Sequence, residues 1–212
     1  MRNGLREFGS DRINRHMHKQ MYRAYRQIIP ELREGAVLEV GAIPSEKSLL
    51  CLPQLKAAER VGLNIDGPYE YDGFKIVVGN ANAMPFEDER FDLVLCNAVI
   101  EHDPYFWKTL AEIRRVTKPG GTIIMGAPGY RAGFPDKVQG KLKKLAAPLV
   151  RTGAFNALFT ATITFQVHNE PGDFYRFSPQ AFREVIMGGL DEVKVTSVML
   201  PPRLMGIGRK PS

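Results

Sequence analysis

Four residues of this chain have types and positions suited to holding a polar, ribose-bearing ligand: Gly41, Asp66, Asn80 and Asn97. Each stands just past an apolar run. Val37-Leu38-Glu39-Val40 ends at Gly41, and Arg60–Ile65 ends in Asp66-Gly67. Phe74–Val78 leads to Gly79-Asn80-Ala81, and Phe91–Cys96 leads to Asn97. An ionised carboxylate is purely an acceptor, so Asp66 suits both hydroxyls of a ribose. Its distance from Gly41 is near the roughly 20 residues of a ribose-binding acid. The Asn80 amide can read the polar edge of an adenine, and a residue without Cβ serves the tight turn at Gly41. Taken singly, each is also what an ordinary turn needs: Asp66-Gly67 and Asn80 are common turn residues, and Gly41 stands alone where a dinucleotide loop has three glycines.

These residues need a parallel sheet to bring them together. Ala36–Gly41, Arg60–Ile65, Phe74–Val78, Phe91–Asn97 and Thr122–Gly126 read as five strands. The first is nearly all apolar, which implies burial on both faces. Glu192–Leu200 and Leu204–Gly208 read as a closing antiparallel pair. Ser45–Leu52 reads as a short helix capped by Ser45, whose free N–H groups face a polar ligand. Tyr105–Val116 reads as an amphipathic helix with Leu110, Ile113 and Val116 inward and Lys108, Arg114 and Arg115 outward. Lys118-Pro119-Gly120-Gly121 reads as a turn. Pro179–Met187 reads as a helix capped by Ser178. Strands alternating with short helices predict an α/β, Rossmann-like doubly wound sheet, mostly parallel and seven-stranded, with an antiparallel last strand. Ligands bind such sheets at the carboxyl ends of the strands. A polar, arginine-rich stretch at 1–35 predicts an N-terminal helical extension. A segment at 128–170 interrupts the alternation. It contains a basic amphipathic helix over 137–151 and an aromatic run, and reads as a lid inserted in one domain spanning 1–212.

The 212 residues are 44% hydrophobic and 25% charged, ordinary for a globular domain with its own core. No apolar run suggests a membrane-spanning helix, and the N-terminus is too polar for a signal peptide. Cys51 and Cys96 sit in apolar surroundings and read as buried thiols in a reducing, cytoplasmic compartment. Nothing suggests a disulfide framework or a metal site. The net charge of +6 reads as solvated surface. Without an aromatic–basic stripe it argues against a nucleic-acid partner.

One stretch is more specific. Val78-Gly79-Asn80-Ala81-Asn82-Ala83-Met84-Pro85-Phe86, running on to Phe91-Asp92-Leu93-Val94, resembles the small class I methyltransferases that use S-adenosylmethionine. So do Asn97-Ala98-Val99-Ile100-Glu101-His102 and the helix ending Arg114-Arg115-Val116-Thr117-Lys118-Pro119-Gly120-Gly121. The resemblance covers about residues 36–127. It implies S-adenosylmethionine as cofactor, with Glu39, Gly41 and Ala42 in the methionine-binding first motif. It places Asp66 at the ribose, Asn80 and Ala81 at the adenine, and Asn97 beside the methionine. Two departures stand out: Ala42, Pro44 and Ser45 replace the later glycines, and Asn80 replaces an acid.

Methyl transfer chiefly requires alignment of nucleophile, methyl and sulfur, with water excluded. A general base helps when the nucleophile is a hydroxyl. His102 and His168 are the candidates. The segment His168–Ser178 resembles one tied to polysaccharide or small-molecule methylation, so Tyr175 and Arg176 are expected to face the substrate. The expected partner is a small-molecule or glycan acceptor. The basic 137–151 helix leaves contact with a membrane surface and a homodimer open. Two alternatives remain: a binding protein of the same fold that has lost its cofactor, and a nucleic-acid methyltransferase.

Overall fold

The structure is a computed structural model and describes residues 18–130, 172–198 and 202–212. Helix α1 occupies 18–28. Strands follow as β1 Ala36–Val40, β2 Glu59–Asn64, β3 Tyr69–Tyr71, β4 Phe74–Val78, β5 Phe91–Asn97 and β6 Thr117–Pro128, with helix α2 Phe106–Val116 between the last two. After the 172–177 segment, a short helix α3 at Pro179–Ala181 continues as a π-helical turn over Phe182–Ile186. Strands β7 Asp191–Val198 and β8 Arg203–Arg209 close the chain. The strands form one sheet in the order β3-β4-β2-β1-β5-β6-β8-β7. Strands β4, β2, β1, β5 and β6 run parallel, and β8 runs antiparallel between β6 and β7.

The Rossmann-like reading holds, with eight strands in place of seven. The additional strand is β3, which turns back at Asp72-Gly73 to pair antiparallel with β4. Alternation along the buried strands splits the core in two. Leu38, Val40, Val94 and Cys96 pack against Leu110, Ile113 and Val116 of α2 and against Phe182 and Ile186. Val37, Leu93, Leu95 and Ile124 pack against Tyr25 and Ile29 at the α1 end and against Leu49, Leu50, Leu52 and Leu55.

Three local expectations are corrected. Ser45–Leu52 is not an α-helix; it is replaced by 3-10 turns at Leu49–Cys51 and Pro53–Leu55, with Ser48 capping the first. The Lys118–Gly121 turn lies inside β6, where a register shift opposite Phe91–Leu93 absorbs the extra residues and Gly120 takes φ +70°. Arg114 and Arg115 do not point out to solvent. Arg114 donates to the carbonyls of Ile186 and Gly188, and Arg115 to those of Met84 and Phe86, so both fasten α2 to its neighbours. Of the inserted lid, Pro128 ends β6, while 131–170, with the basic helix and His168, lie outside the described residues.

Candidate functional site at the carboxyl edge of the sheet

The pairing fixes which strand ends share an edge. Val40 aligns with Leu63 and with Cys96, while Leu63 aligns with Val77 and Cys96 with Met125. One residue further, Asn64 pairs with Val78 and Asn97 with Gly126. Gly41 therefore falls in the same row, between β2 and β5. Asp66 and Asn80 follow two residues beyond that row. The four residues with ligand-holding potential thus share one edge.

Gly41 is exposed and sits at φ +81°, in the left-handed region. A Cβ there would stand 2.5 Å from Cγ2 of Val99, so glycine lets the loop after β5 approach. Apolar side chains stand in the open along this edge: Ile65 is 73% exposed, Val78 45% and Ile43 40%. Among them lies the Asp66 carboxylate, exposed, accepting from the Gly67 amide at 3.0 Å and the Tyr69 hydroxyl at 2.7 Å. Asn64 ties two loops together: its Oδ1 accepts from the Asp66 amide at 3.2 Å, and its Nδ2 donates to the Ala42 carbonyl at 2.7 Å. The exposed Asn80 accepts from the Asn82 amide at 2.8 Å, and Ala81 is half-buried beside it.

The loop after β1 differs from its expected role. Its amides are already engaged: Gly41 and Ala42 both donate to Leu63 O, at 2.8 and 3.2 Å. Ala42 is fully buried, with its carbonyl held by Asn64, so it presents no group to a ligand. Glu39 is also buried. Its carboxylate accepts from the Ser48 hydroxyl and from the amides of Leu49 at 3.1 Å and Leu50 at 3.4 Å. Burial raises its pKa against the pull of those donors. Glu39 holds the loop in shape.

At the β5 end, the Asn97 side chain points toward α1. Its Oδ1 accepts from the Tyr25 hydroxyl at 2.9 Å and from Arg203 at 3.4 Å, and its Nδ2 meets Met21 Sδ at 3.4 Å. Tyr25 reaches it across Gly126, where a Cβ would lie 2.7 Å from Asn97 Oδ1 and closer still to the Tyr25 hydroxyl. Burial drives the Tyr25 phenol far above its ordinary range, so it stays a donor. The chain then turns through exposed Ala98 at φ +57°.

Glu101 and His102 follow. Glu101 is buried, with Oε1 3.5 Å from Arg203 and 3.9 Å from His102 Nε2; its Oε2 has no hydrogen-bond partner among the described residues. Burial raises its pKa, opposed by Arg203, His102 and Arg176. The His102 Nδ1 meets the Gly172 carbonyl. A carbonyl only accepts, so Nδ1 carries the hydrogen and the lone pair of the neutral ring lies on Nε2. The 172–177 segment lies against this turn: Phe174 and Tyr175 donate their amides to Glu101 O, at 2.8 and 3.3 Å. Tyr175 donates its hydroxyl to Pro104 O at 3.0 Å, and Arg176 forms a two-pronged pair with Asp173. Tyr175 and Arg176 therefore build the wall beside His102.

Sequence reasoning missed Asn64, Tyr25, Arg203, Gly126 and Asp103. Asp103 accepts from the Tyr105 amide at 2.8 Å, Asn82 Nδ2 at 2.7 Å and Thr109 Oγ1 at 2.7 Å, joining the loops after β4 and β5. Only Asp103 carried a local signal, as an acid just before a helix. The others find partners far along the chain.

Residues 48–125 match the family model described as a methyltransferase domain. The chain is 32% identical over 123 residues to phthiotriol/phenolphthiotriol dimycocerosates methyltransferase 1 of Mycobacterium ulcerans, a match covering 54% of this chain and 45% of that protein. The chain thus spans less than half the length of that curated relative. Among solved structures it is similar to the putative methyltransferase of Haloferax volcanii in complex with the Trm112 methyltransferase activator. The TM-score is 0.64 at 19% identity, covering 96% of this chain and 95% of that one. It is also similar to the Burkholderia thailandensis 1,6-didemethyltoxoflavin-N1-methyltransferase with bound 1,6-didemethyltoxoflavin and S-adenosylhomocysteine. There the TM-score is 0.58 at 15% identity, covering 85% and 72% of the two chains. Residues 48–125 thus match a methyltransferase domain, and the fold is similar to those of solved methyltransferases.

Proposed function

We propose that the chain transfers a methyl group from S-adenosylmethionine to a hydroxyl of a small-molecule or glycan acceptor. The observation that carries this reading is the group of exposed Ile65 and Val78 with the Asp66 carboxylate, on the same edge as exposed, left-handed Gly41. Open apolar side chains beside an acceptor-only carboxylate suit a nucleoside, which offers a flat apolar base and two ribose hydroxyls. Asp66 accepts from the ribose, Ile65 and Val78 cover the base, and Asn80 and Ala81 meet its polar edge. The donor supplies an electrophilic methyl group on a sulfonium. His102, oriented by its Nδ1–H on the Gly172 carbonyl, is the group that takes the proton the acceptor loses. The 172–177 segment excludes water on that side.

A second reading, a binding protein of this fold without catalysis, is favoured by one feature: the loop after β1 has committed the amides of Gly41 and Ala42 to Leu63. Calorimetry with S-adenosylhomocysteine tests the first reading. Saturable binding is expected, weakened about tenfold in Asp66→Ala, the size of one lost charge-assisted hydrogen bond. A folded wild-type protein giving no binding heat with millimolar ligand would overturn it.

A further inference from the structure

We propose that Tyr69 is a positioning residue of the methyl-donor site: it orients the Asp66 carboxylate so that the two oxygens take the ribose hydroxyls as a pair. This rests on the methyl-transfer reading above. Tyr69 opens β3, the strand beyond the expected seven, which pairs antiparallel with β4. It stands three residues after Asp66, and its hydroxyl donates to Asp66 Oδ2 at 2.7 Å. The Gly67 amide donates to Oδ1 at 3.0 Å. A carboxylate has about four lone-pair sites, shared equally between its oxygens. These two donors take one site on each oxygen and leave one on each. Two acceptor sites side by side on one planar group match two neighbouring hydroxyls of a ribose.

The surroundings hold this arrangement from two sides. On the backbone side, the Asp66 amide is tied to Asn64 Oδ1, and Asn64 in turn to the Ala42 carbonyl. On the other, the Tyr69 ring passes close to Gly67, which sits at φ +137°. A Cβ at Gly67 would stand 3.3 Å from Tyr69 Cδ2 and 3.4 Å from Val78 Cγ2. Glycine at this position lets the Tyr69 ring and Val78, which covers the base, close on one spot. The hydrogen bond to Asp66 raises the Tyr69 pKa, so the phenol keeps its proton and remains a donor. Asp66 and Tyr69 are both exposed. Water would satisfy an exposed carboxylate equally well, so the bond adds little stability; its effect is to fix the direction of the carboxylate.

The test is calorimetry on the full chain with two ligands, S-adenosylhomocysteine and its 2′,3′-dideoxy analogue. In Tyr69→Phe, S-adenosylhomocysteine is expected to bind about fivefold more weakly than in wild type, the size of one ordinary hydrogen bond. The analogue, which has no ribose hydroxyls to offer, is expected to bind both proteins equally. In an Asp66→Ala background, adding Tyr69→Phe is expected to cause no further loss, because the hydroxyl acts through the carboxylate. Equal weakening of both ligands in Tyr69→Phe, or a further loss in the Asp66→Ala background, would mean general damage to the hairpin and overturns the proposal. S-adenosylhomocysteine binding unchanged in Tyr69→Phe also overturns it, while binding by wild type leaves the methyl-transfer reading standing. Wild type that gives no binding heat with S-adenosylhomocysteine removes both.

Discussion

The loops after β1 and β5, at the carboxyl edge of the sheet, are built in opposite ways. After β1, polar groups find partners within the loop or the adjoining strand. Glu39 takes three donors from Ser48, Leu49 and Leu50, and the Gly41 and Ala42 amides close on Leu63. After β5, Glu101 is buried with one oxygen that has no donor among the described residues, and His102 has its tautomer fixed from outside the loop by Gly172. The first loop is a finished support. The second sets a buried carboxylate beside a histidine, the pattern expected where a fold gives way to function.

Gly126→Ala gives the largest break in this contrast. Its Cβ would claim the space that Tyr25 uses to reach Asn97, unseating α1 from the β5 loop. The expected loss is about 3 kcal/mol, from overpacking plus a displaced buried hydroxyl. In thermal melts this is a fall of roughly 6 to 12 °C. Melting within about 2 °C of wild type would mean that Tyr25 does not occupy this notch.

Glu39→Gln tests the finished loop. It keeps the shape but puts an amide NH2 donor in place of one acceptor oxygen facing the loop's own donors, at a cost of about 2 kcal/mol. The pH dependence sharpens the point. Burial raises the Glu39 pKa, so the folded chain holds this proton more tightly than the unfolded chain. Wild-type stability from this group is fully present below the ordinary carboxylate range and falls as pH rises through the folded pKa. The variant lacks that slope. Its deficit in urea denaturation should therefore be largest at acidic pH and shrink toward neutrality; a deficit growing with pH would contradict burial of the charge.

The smallest of these effects is expected at Asp103, whose carboxylate joins the loops after β4 and β5. Asp103→Ala removes an acceptor at the start of α2 and should cost about 1 kcal/mol. Amide exchange should quicken at Asn82 and Tyr105 while the loop after β1 is unaffected. Equal loosening of both loops would show that they are not independent supports.

The same contrast marks what was legible in the sequence. The spans of β4 and β5 follow from apolar runs bounded by Gly and Asn, because burial in a parallel sheet writes itself into consecutive residues. The row of strand ends follows from that architecture. The loop after β1 did not read correctly. Its turns are shaped by Glu39, upstream within a strand, and a capped helix and a chain of 3-10 turns share the same serines and leucines. Lys118–Gly121 carries turn residues, yet a bulge lets β6 run through them. Tyr25, Arg203 and the orientation of Asn97 were invisible because their contacts join α1, β5 and β8, and no local spacing encodes them.

The most direct test of the central claim is amide chemical-shift mapping with S-adenosylhomocysteine added to the full chain. Perturbations should concentrate at Gly41, Ile65, Asp66, Ala81 and Ala98, the backbone that rims the carboxyl edge. A spectrum unmoved at saturating ligand, or shifts gathered at the Glu70–Lys75 hairpin instead, would show that this edge is not a methyl-donor site.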